Sequence, residues 1–247
     1  MSLSIIMITR NCSEVLNETL ESIEGLWKEL LVSDQNSTDG TRDILEHYKA
    51  SIIETESDNL GKRKQELVKK AKGDWILVLD SDERVSAELR EEIKTKIHGS
   101  RLGGRDDKPE AYRIPYQNYV FGRAVYWGGE RYSKVRLFRN GYGNVGKIPL
   151  HEEITVDGKI GEMKGVIHHH SYRTISQLFR KFTSYALIPA RLKKKHVTFA
   201  KLFLYGPHMF WARFIEEKGY KDGLHGLVLA IAFGYMETLT YWMLLLY

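Results

Sequence analysis

Gly73-Asp74-Trp75-Ile76-Leu77-Val78-Leu79-Asp80-Ser81-Asp82-Glu83 is a near-continuous apolar run closed by carboxylates. An unbroken apolar run of that length, without polar alternation, predicts a strand buried on both faces, as in a parallel sheet covered by helices. The acidic group then falls just past the carboxyl end of the strand, where hard oxygen ligands suit Mg²⁺ or Mn²⁺. A bare Asp-x-Asp is more often a solvated turn that starts the next helix. Its place behind a buried strand reverses that weighting.

Upstream, the same unit repeats. Ser4-Ile5-Ile6-Met7-Ile8 is short, apolar and β-branched, and after Thr9-Arg10-Asn11 a helical spacing of Val15, Leu16, Leu20 and Ile23 begins behind Ser13. Leu30-Leu31-Val32 leads through Asp34-Gln35-Asn36-Ser37-Thr38-Asp39-Gly40 into a helix carrying Ile44 and Leu45, and Ile52-Ile53 supplies a third short strand. Alternating strands and helices predict a three-layer α/β domain, in which ligands gather beyond the carboxyl ends of the strands. Thr9, Asp34 and Asp80 all fall at such ends. Asp34 suits a ribose or base by hydrogen bonding, although an Asx turn accounts for it equally simply. Thr38, Asp39 and Gly40 read as a turn and helix start.

Between 112 and 170 the texture changes to short strands with glycines. Ile154-Thr155-Val156 followed by Asp157-Gly158 predicts a hairpin. Tyr112, Tyr116, Tyr119, Phe121, Tyr126, Trp127 and Tyr132 crowd this stretch, most of them as core, with Trp127 beside Gly128-Gly129 the best platform for a sugar ring. His151-Glu152 pairs an imidazole able to bind metal with a carboxylate able to accept a proton, and a plain surface pair is the competing reading. In His168-His169-His170, strand alternation turns the middle residue away from its neighbours, so at most one, His169, approaches a metal. From 176 onward the pattern is helical, over 176–187, 198–218 and 224–246, giving an α/β part over 1–173 and a basic, apolar helical extension over 174–247.

Composition narrows the setting. The chain has 247 residues, 43% hydrophobic and 28% charged, which excludes disorder and a polytopic membrane protein. Cys12 is the single cysteine, which rules out an internal disulfide and a four-thiolate zinc site and fits a reducing compartment. The apolar start is too short for a signal-peptide core, and the sequons at Asn17 and Asn36 are therefore read as chance matches. The net charge of +5 gathers late, at Arg180, Lys181, Arg191, Lys193, Lys194, Lys195 and Lys201, ahead of aromatic and apolar residues. That order suits peripheral contact with an anionic membrane face, hence the cytoplasmic side of the inner or plasma membrane; a solvated helix face is the plainer reading. Glu237 interrupts the last helix, which favours an in-plane arrangement over a span, with a packing helix or an oligomer interface as the alternative. No nucleic-acid recognition motif accompanies the basic residues.

Taken together, Ile8-Thr9-Arg10-Asn11, Ser33-Asp34-Gln35-Asn36-Ser37-Thr38-Asp39-Gly40-Thr41, the segment from Gly73 to Glu83, Val135-Arg136-Leu137-Phe138-Arg139, His151-Glu152 and His169-His170-Ser171-Tyr172 resemble glycosyltransferase family 2, in the branch related to lipopolysaccharide-core β-glucosyltransferases. The resemblance spans nearly the whole chain and implies a GT-A fold, with a nucleotide-binding half over about 1–100 and an acceptor half over about 101–173. It implies inverting transfer from a nucleotide-diphosphate sugar, UDP-glucose by family weight, to a cell-envelope glycan or lipid-linked acceptor. Thr9, Asn11 and Asp34 would lie near the nucleotide, Arg63, Lys64, Asp80 and Ser81 at the diphosphate, and Asp82 would be the main Mg²⁺ or Mn²⁺ ligand with Asp80 and either His151 or His169. Glu152 would be the base, with Glu130 and Glu153 in reserve, and Trp127, Glu130 and Arg136 would meet the acceptor. Two positions depart from the family pattern. Cys12-Ser13 stands where an acidic pair is common, and Lys64-Gln65 stands where Arg-Asn is common, so phosphate attraction survives without bidentate geometry.

Two other classes compete. A sugar-phosphate nucleotidyltransferase needs a glycine-rich loop after its first strand, and Thr9-Arg10-Asn11-Cys12-Ser13 has no glycine. A non-catalytic, membrane-associated glycan-binding protein on the same fold has no need of intact Asp34, Asp80, Asp82 and Glu152.

Overall fold

The structure is a computed structural model that describes residues 1–55, 57, 59–99, 109–146, 153–191 and 197–246. It forms two compact units: Met1–Tyr116 with Ser133–His169, and Gln117–Tyr132 with His170–Tyr247.

The first unit opens as the apolar spacing predicts. Strand β1 (Leu3–Thr9) leads to α1 (Ser13–Ile23), β2 (Glu29–Asp34) to α2 (Thr41–His47), and β3 (Ser51–Ile52) to α3 (Leu60–Lys70), before β4 (Trp75–Val78). These strands pair in parallel in the order β3-β2-β1-β4. Helix α1 buries Leu16, Leu20 and Ile23, one stripe at helical spacing. Helix α3 starts where the Asn59 side chain accepts from the Lys62 amide at 2.9 Å, and it buries Leu67 and Val68 against Ile6, Leu31, Ile76, Val78 and Phe138. Truncating a fully buried leucine such as Leu67 costs about 2–5 kcal/mol, a large part of a domain's net stability.

Beyond β4 the pairing becomes antiparallel. After β5 (Glu83–Val85) and α4 (Ala87–Gly99) come β6 (Ala111–Val120), β7 (Arg123–Val125), β8 (Ser133–Arg139), β9 (Gly143–Val145), β10 (Ile154–Val156), β11 (Ile160–Glu162) and β12 (Ile167–Tyr172). The sheet continues β4-β8-β6-β12-β5, with β8 antiparallel to β4 through Trp75↔Arg139, Ile76↔Phe138 and Leu77↔Leu137. The hairpin expected at Asp157-Gly158 does not form. Gly158 does take a left-handed φ of 136°, but the flanking strands part: β10 pairs with β9, whereas β11 runs parallel to β6. A turn signal reports local backbone shape and leaves strand partners open.

The second unit gathers around α5 (Ile175–Arg191), α6 (Phe199–Trp211) and α7 (Gly223–Leu246), with a π-helical segment, Ala212–Glu216, continuing α6 and a 3₁₀ turn, Gly219–Asp222, leading into α7. Its core joins Val120 and Val125 to Leu178, Phe182, Leu229 and Ala232. The backbones of α6 and α7 approach closely at Gly206, where an added Cβ would lie 2.9 Å from the Gly234 carbonyl oxygen. The division differs from the single cut expected at 173 and 174. Residues 117–132 pack with the helices because the Tyr126 and Trp127 amides donate to Asp222 Oδ2 at 2.9 and 2.8 Å, and the Gly128 amide donates to the Glu217 carbonyl at 2.9 Å.

Candidate active site

Thr9 and Asp34 are direct register partners at the carboxyl ends of β1 and β2, and Asp80 lies two residues past the end of adjacent β4. The parallel sheet thus brings the three expected residues to one rim. Asp34 is fully engaged there. Its Oδ1 accepts from Thr9 Oγ1 at 2.8 Å and Ser37 Oγ at 2.6 Å, and its Oδ2 from the Ser37 amide at 3.0 Å and Arg42 Nε at 2.8 Å. Four donors fill the lone-pair sites of a carboxylate. Burial alone would raise its pKa, but the bonds from Ser37, Arg42 and Thr9 outweigh it and hold the group below the usual carboxylate range. Asn11, with a left-handed φ of 44°, laces the first two strand loops: its amide donates to Ser37 Oγ at 2.8 Å and its Oδ1 accepts from the Thr38 amide at 2.9 Å. Asp39, beside them, receives Thr41 Oγ1, the Ser13 amide and Ser13 Oγ, which lower its pKa to about 2.

Asp80 sits between two cations. Lys64 Nζ lies 2.8 Å from Oδ1 and Arg136 Nη2 lies 3.0 Å from Oδ2. Arg136 also reaches Glu83 Oε1 at 3.1 Å, and its Nε donates to Tyr116 Oη at 2.5 Å. Glu83 closes the loop, since its Oε2 accepts from the Asp80 amide at 2.9 Å and its own amide donates to the Asp80 carbonyl at 3.1 Å. Burial works against ionisation of Asp80, yet the Lys64 and Arg136 charges win and push its pKa far below the ordinary value. For Arg136 burial also opposes the charge, and Glu83, Tyr116 and Asp80 overcome it. The Tyr116 hydroxyl is driven well up, chiefly by burial, so it stays protonated. The Lys134 pKa is lowered nearby, by partial desolvation and then by the Arg136 charge. Such a network is costly to desolvate and costlier to break on one side.

Asp82 points elsewhere, and its Oδ2 is 3.7 Å from His169 Nε2. That separation is long for a hydrogen bond but lies within reach of two ligands sharing one cation, each at about 2.1 Å. A carboxylate oxygen and an imidazole nitrogen are a donor set that fits Mn²⁺ or Mg²⁺ if phosphate oxygens fill other positions. Among the described residues no three His, Cys, Asp or Glu side chains converge on one point. The three histidines do separate: His169 meets Tyr116 edge-on at 6.0 Å, His170 stacks on Tyr119 at 4.5 Å, and His168 has its pKa lowered by burial and then by Arg84.

Other expected residues land differently. Arg63, expected at the diphosphate, is buried: its Nη1 donates to Ser33 Oγ at 3.1 Å and its Nε to the Ser57 carbonyl, which ties α3 to the end of β2. Arg136, expected at the acceptor, is buried in the Asp80 network because β8 lies next to β4. The Ser81 carbonyl accepts from Thr19 Oγ1 at 2.8 Å. Trp127 and Glu130 belong to the second unit. Lys221 Nζ lies 4.2 Å from the Trp127 ring centre; Gly128 and Gly129 take left-handed φ values of 69° and 77°, and the missing Cβ of Gly129 leaves room for Arg213 and Glu217. Glu130 accepts from Asn118 Nδ2 at 2.9 Å and lies 3.3 Å from Arg213 Nη1. His151 and Glu152 lie outside the described residues; Glu153 is described and is exposed.

Glu83, Tyr116, Ser37 and Arg42 complete the site without having been singled out in the sequence. Glu83 stood inside the acidic motif, and only its spacing of three from Asp80 hinted that it could close the loop on the Asp80 amide. Tyr116 was one aromatic among many.

An open sheet with a parallel nucleotide-side half and a polar rim at its strand ends is the architecture of the nucleotide-diphospho-sugar transferases of GT-A type. The chain belongs to glycosyl transferase family 2, whose model matches residues 4–147, more than half its length. An uncharacterized glycosyltransferase of Rickettsia typhi is 24% identical over 96% of this chain and 84% of its own, and the lipopolysaccharide core biosynthesis glycosyltransferase LpsC of Rhizobium meliloti is 24% identical over 93% and 86%. These place the chain in an LpsC-like branch of the family. A TPR repeat-containing protein of Synechococcus elongatus is 32% identical over 56% of this chain, which spans only 31% of that longer relative. Among solved structures, Staphylococcus aureus TarS in complex with UDP superposes with a TM-score of 0.52 at 18% identity, over 91% of this chain and 75% of that one.

Proposed function

We propose that this chain transfers a sugar from a nucleotide-diphosphate donor of the UDP-glucose kind to a glycan or lipid-linked acceptor of the cell envelope, with inversion at the anomeric carbon. The observation that carries the reading is the convergence of Thr9, Asp34 and Asp80 on adjacent parallel strand ends, with the Lys64 ammonium 2.8 Å from Asp80. The UDP and UDP-GlcNAc complexes of TarS support a uridine donor, and LpsC supports an envelope acceptor.

In this reading Thr9, Asn11 and Asp34 shape the nucleotide pocket, Asp34 through the loop it anchors. Lys64, Asp80 and Ser81 border the diphosphate, and Lys64 balances the charge that grows on it as the donor bond breaks. Asp82 and His169 would hold a divalent cation, with Asp80 behind them and His151 as a further ligand. When bound, that Mg²⁺ or Mn²⁺ supplies Lewis-acid stabilisation of the departing diphosphate. Glu152 takes the proton of the acceptor hydroxyl as its oxygen attacks the anomeric carbon from the face opposite the leaving group. Trp127 offers the acceptor an aromatic face. The C-terminal helices keep the protein in peripheral contact with the cytoplasmic face of the membrane, and no nucleic acid takes part.

The deciding experiment is a panel of nucleotide sugars scored by released nucleoside diphosphate, with lipid and lipopolysaccharide acceptors. Asp82→Ala and Glu152→Gln should each lower turnover by about 10²-fold or more, the latter with nucleotide binding kept. Undiminished turnover in either variant removes the role assigned to that residue.

A further inference from the structure

A helix packed in a water-soluble domain turns its large apolar residues inward and its polar ones outward. Helix α7 is apolar on both sides. Gly226, Leu229, Ala230, Ala232, Gly234, Glu237, Thr240 and Tyr241 are buried and form its packed face. Leu224, Ile231, Tyr235, Trp242 and Leu246 are exposed, and they recur at intervals of seven, four, seven and four residues, which puts them on one face. Leu224 is 70% and Leu246 74% exposed. Helix α6 behaves alike: Gly206 and Leu202 face inward, while Phe203, Leu204 and Trp211 face out. The two faces are continuous, since Phe203 and Trp242 meet edge to face at 5.8 Å.

The charges of this hairpin select its partner. Of its acidic residues, Asp222 and Glu237 are buried and Glu217 lies 3.9 Å from Arg213, which leaves Glu216 exposed against Lys218 and Lys221. Lys201 stands at the start of α6, and Lys218 and Lys221 stand in the connection to α7, so lysines bracket the apolar face along the chain. Tryptophan and tyrosine among the outward residues suit the boundary between headgroups and acyl chains. By length and composition the helical stretch Gly219–Leu246 could cross a bilayer. Its inward face, however, is committed to packing on α5 and α6 and carries Glu237, so only one side is available to lipid.

We propose that the outward face of the α6–α7 hairpin lies in the plane of an anionic lipid monolayer, with Leu204, Trp211, Leu224, Trp242 and Leu246 in the acyl boundary and the lysines at the headgroups. This deepens the membrane contact proposed above by naming its surface, and it does not depend on the transfer chemistry.

Flotation of the full chain with phosphatidylcholine vesicles, with and without phosphatidylglycerol, tests it. The wild type should float with the anionic vesicles and bind them about a hundredfold more tightly than the neutral ones, as expected for three lysines near a charged surface. Leu204→Glu with Trp211→Glu and Leu246→Glu should lose at least about tenfold in binding while keeping the wild-type unfolding temperature and donor-sugar hydrolysis, because all three side chains face out. Lys201→Gln with Lys218→Gln and Lys221→Gln should abolish the preference for anionic lipid. The proposal is overturned if the wild type fails to float with either vesicle, or if the glutamate variant floats as well as the wild type. It is also overturned if the wild type is a dimer that the glutamate variant dissociates without either form binding vesicles, which would assign the face to a second copy. A wild type that fails to float yet transfers sugar to a soluble acceptor would strike this surface alone; a wild type that floats yet transfers nothing would strike the catalytic reading alone.

Discussion

Replacing Arg136 with methionine removes the cation shared by Asp80 and Glu83 while keeping most of the apolar stem between β4 and β6. Asp80 retains Lys64 at 2.8 Å, so the loss falls on Glu83. That side chain is 1% exposed and, among the described residues, would keep only the Asp80 amide as a partner. Orphaning one member of a buried pair costs about 3–5 kcal/mol. In a chain of this size each kcal/mol moves the unfolding midpoint by about 2–4 °C, so thermal unfolding should fall by roughly 6–20 °C. The reasoning also requires the damage to be a stranded charge. Adding Glu83→Gln to Arg136→Met should therefore recover about 2 kcal/mol or more, measured as the coupling in a double-mutant cycle by urea denaturation. A single-variant cost under about 1 kcal/mol, or additivity of the two substitutions within about 0.5 kcal/mol, would refute the network as described.

Asp34→Ala leaves Thr9 Oγ1, the Ser37 amide and hydroxyl and Arg42 without their acceptor, and should cost about 1–3 kcal/mol in denaturant unfolding. UDP should raise the unfolding temperature in the presence of Mn²⁺ and do so less after chelation, since a ligand bound only by the native state stabilises it; Asp82→Ala should erase the difference. Because folding lowers the Asp80 pKa, its stabilising contribution is complete above about pH 4 and drains away as acid takes the pH below that, toward the depressed folded value. Unfolding temperature recorded from pH 7 to pH 3 should thus fall more steeply for the wild type than for Asp80→Asn.

Much of the parallel half of the sheet was legible in advance because it is encoded locally. A parallel strand buried on both faces must be apolar throughout, so Trp75 to Leu79 announced itself, and the carboxylates behind it were bound to fall at the strand end. The same holds for the loops after β1 and β2, whose alternation with helices implied a shared rim. The Asp157-Gly158 signal shows the limit of that approach: the turn is there, and its strands have different partners.

What the sequence by itself determined, then, is the order of strands and helices in the parallel half and the residues placed at the strand ends, since both follow from periodicities within ten or twenty residues. Only the tertiary structure decided who stands beside whom. Asp80 and Arg136 are 56 residues apart and meet because β8 runs antiparallel to β4, which makes Arg136 a buried counter-ion. Likewise Trp127 and Glu130 joined the helical unit through Asp222 and Arg213, more than eighty residues away. Pairings across such distances depend on burial and on hydrogen bonds whose partners no local pattern names.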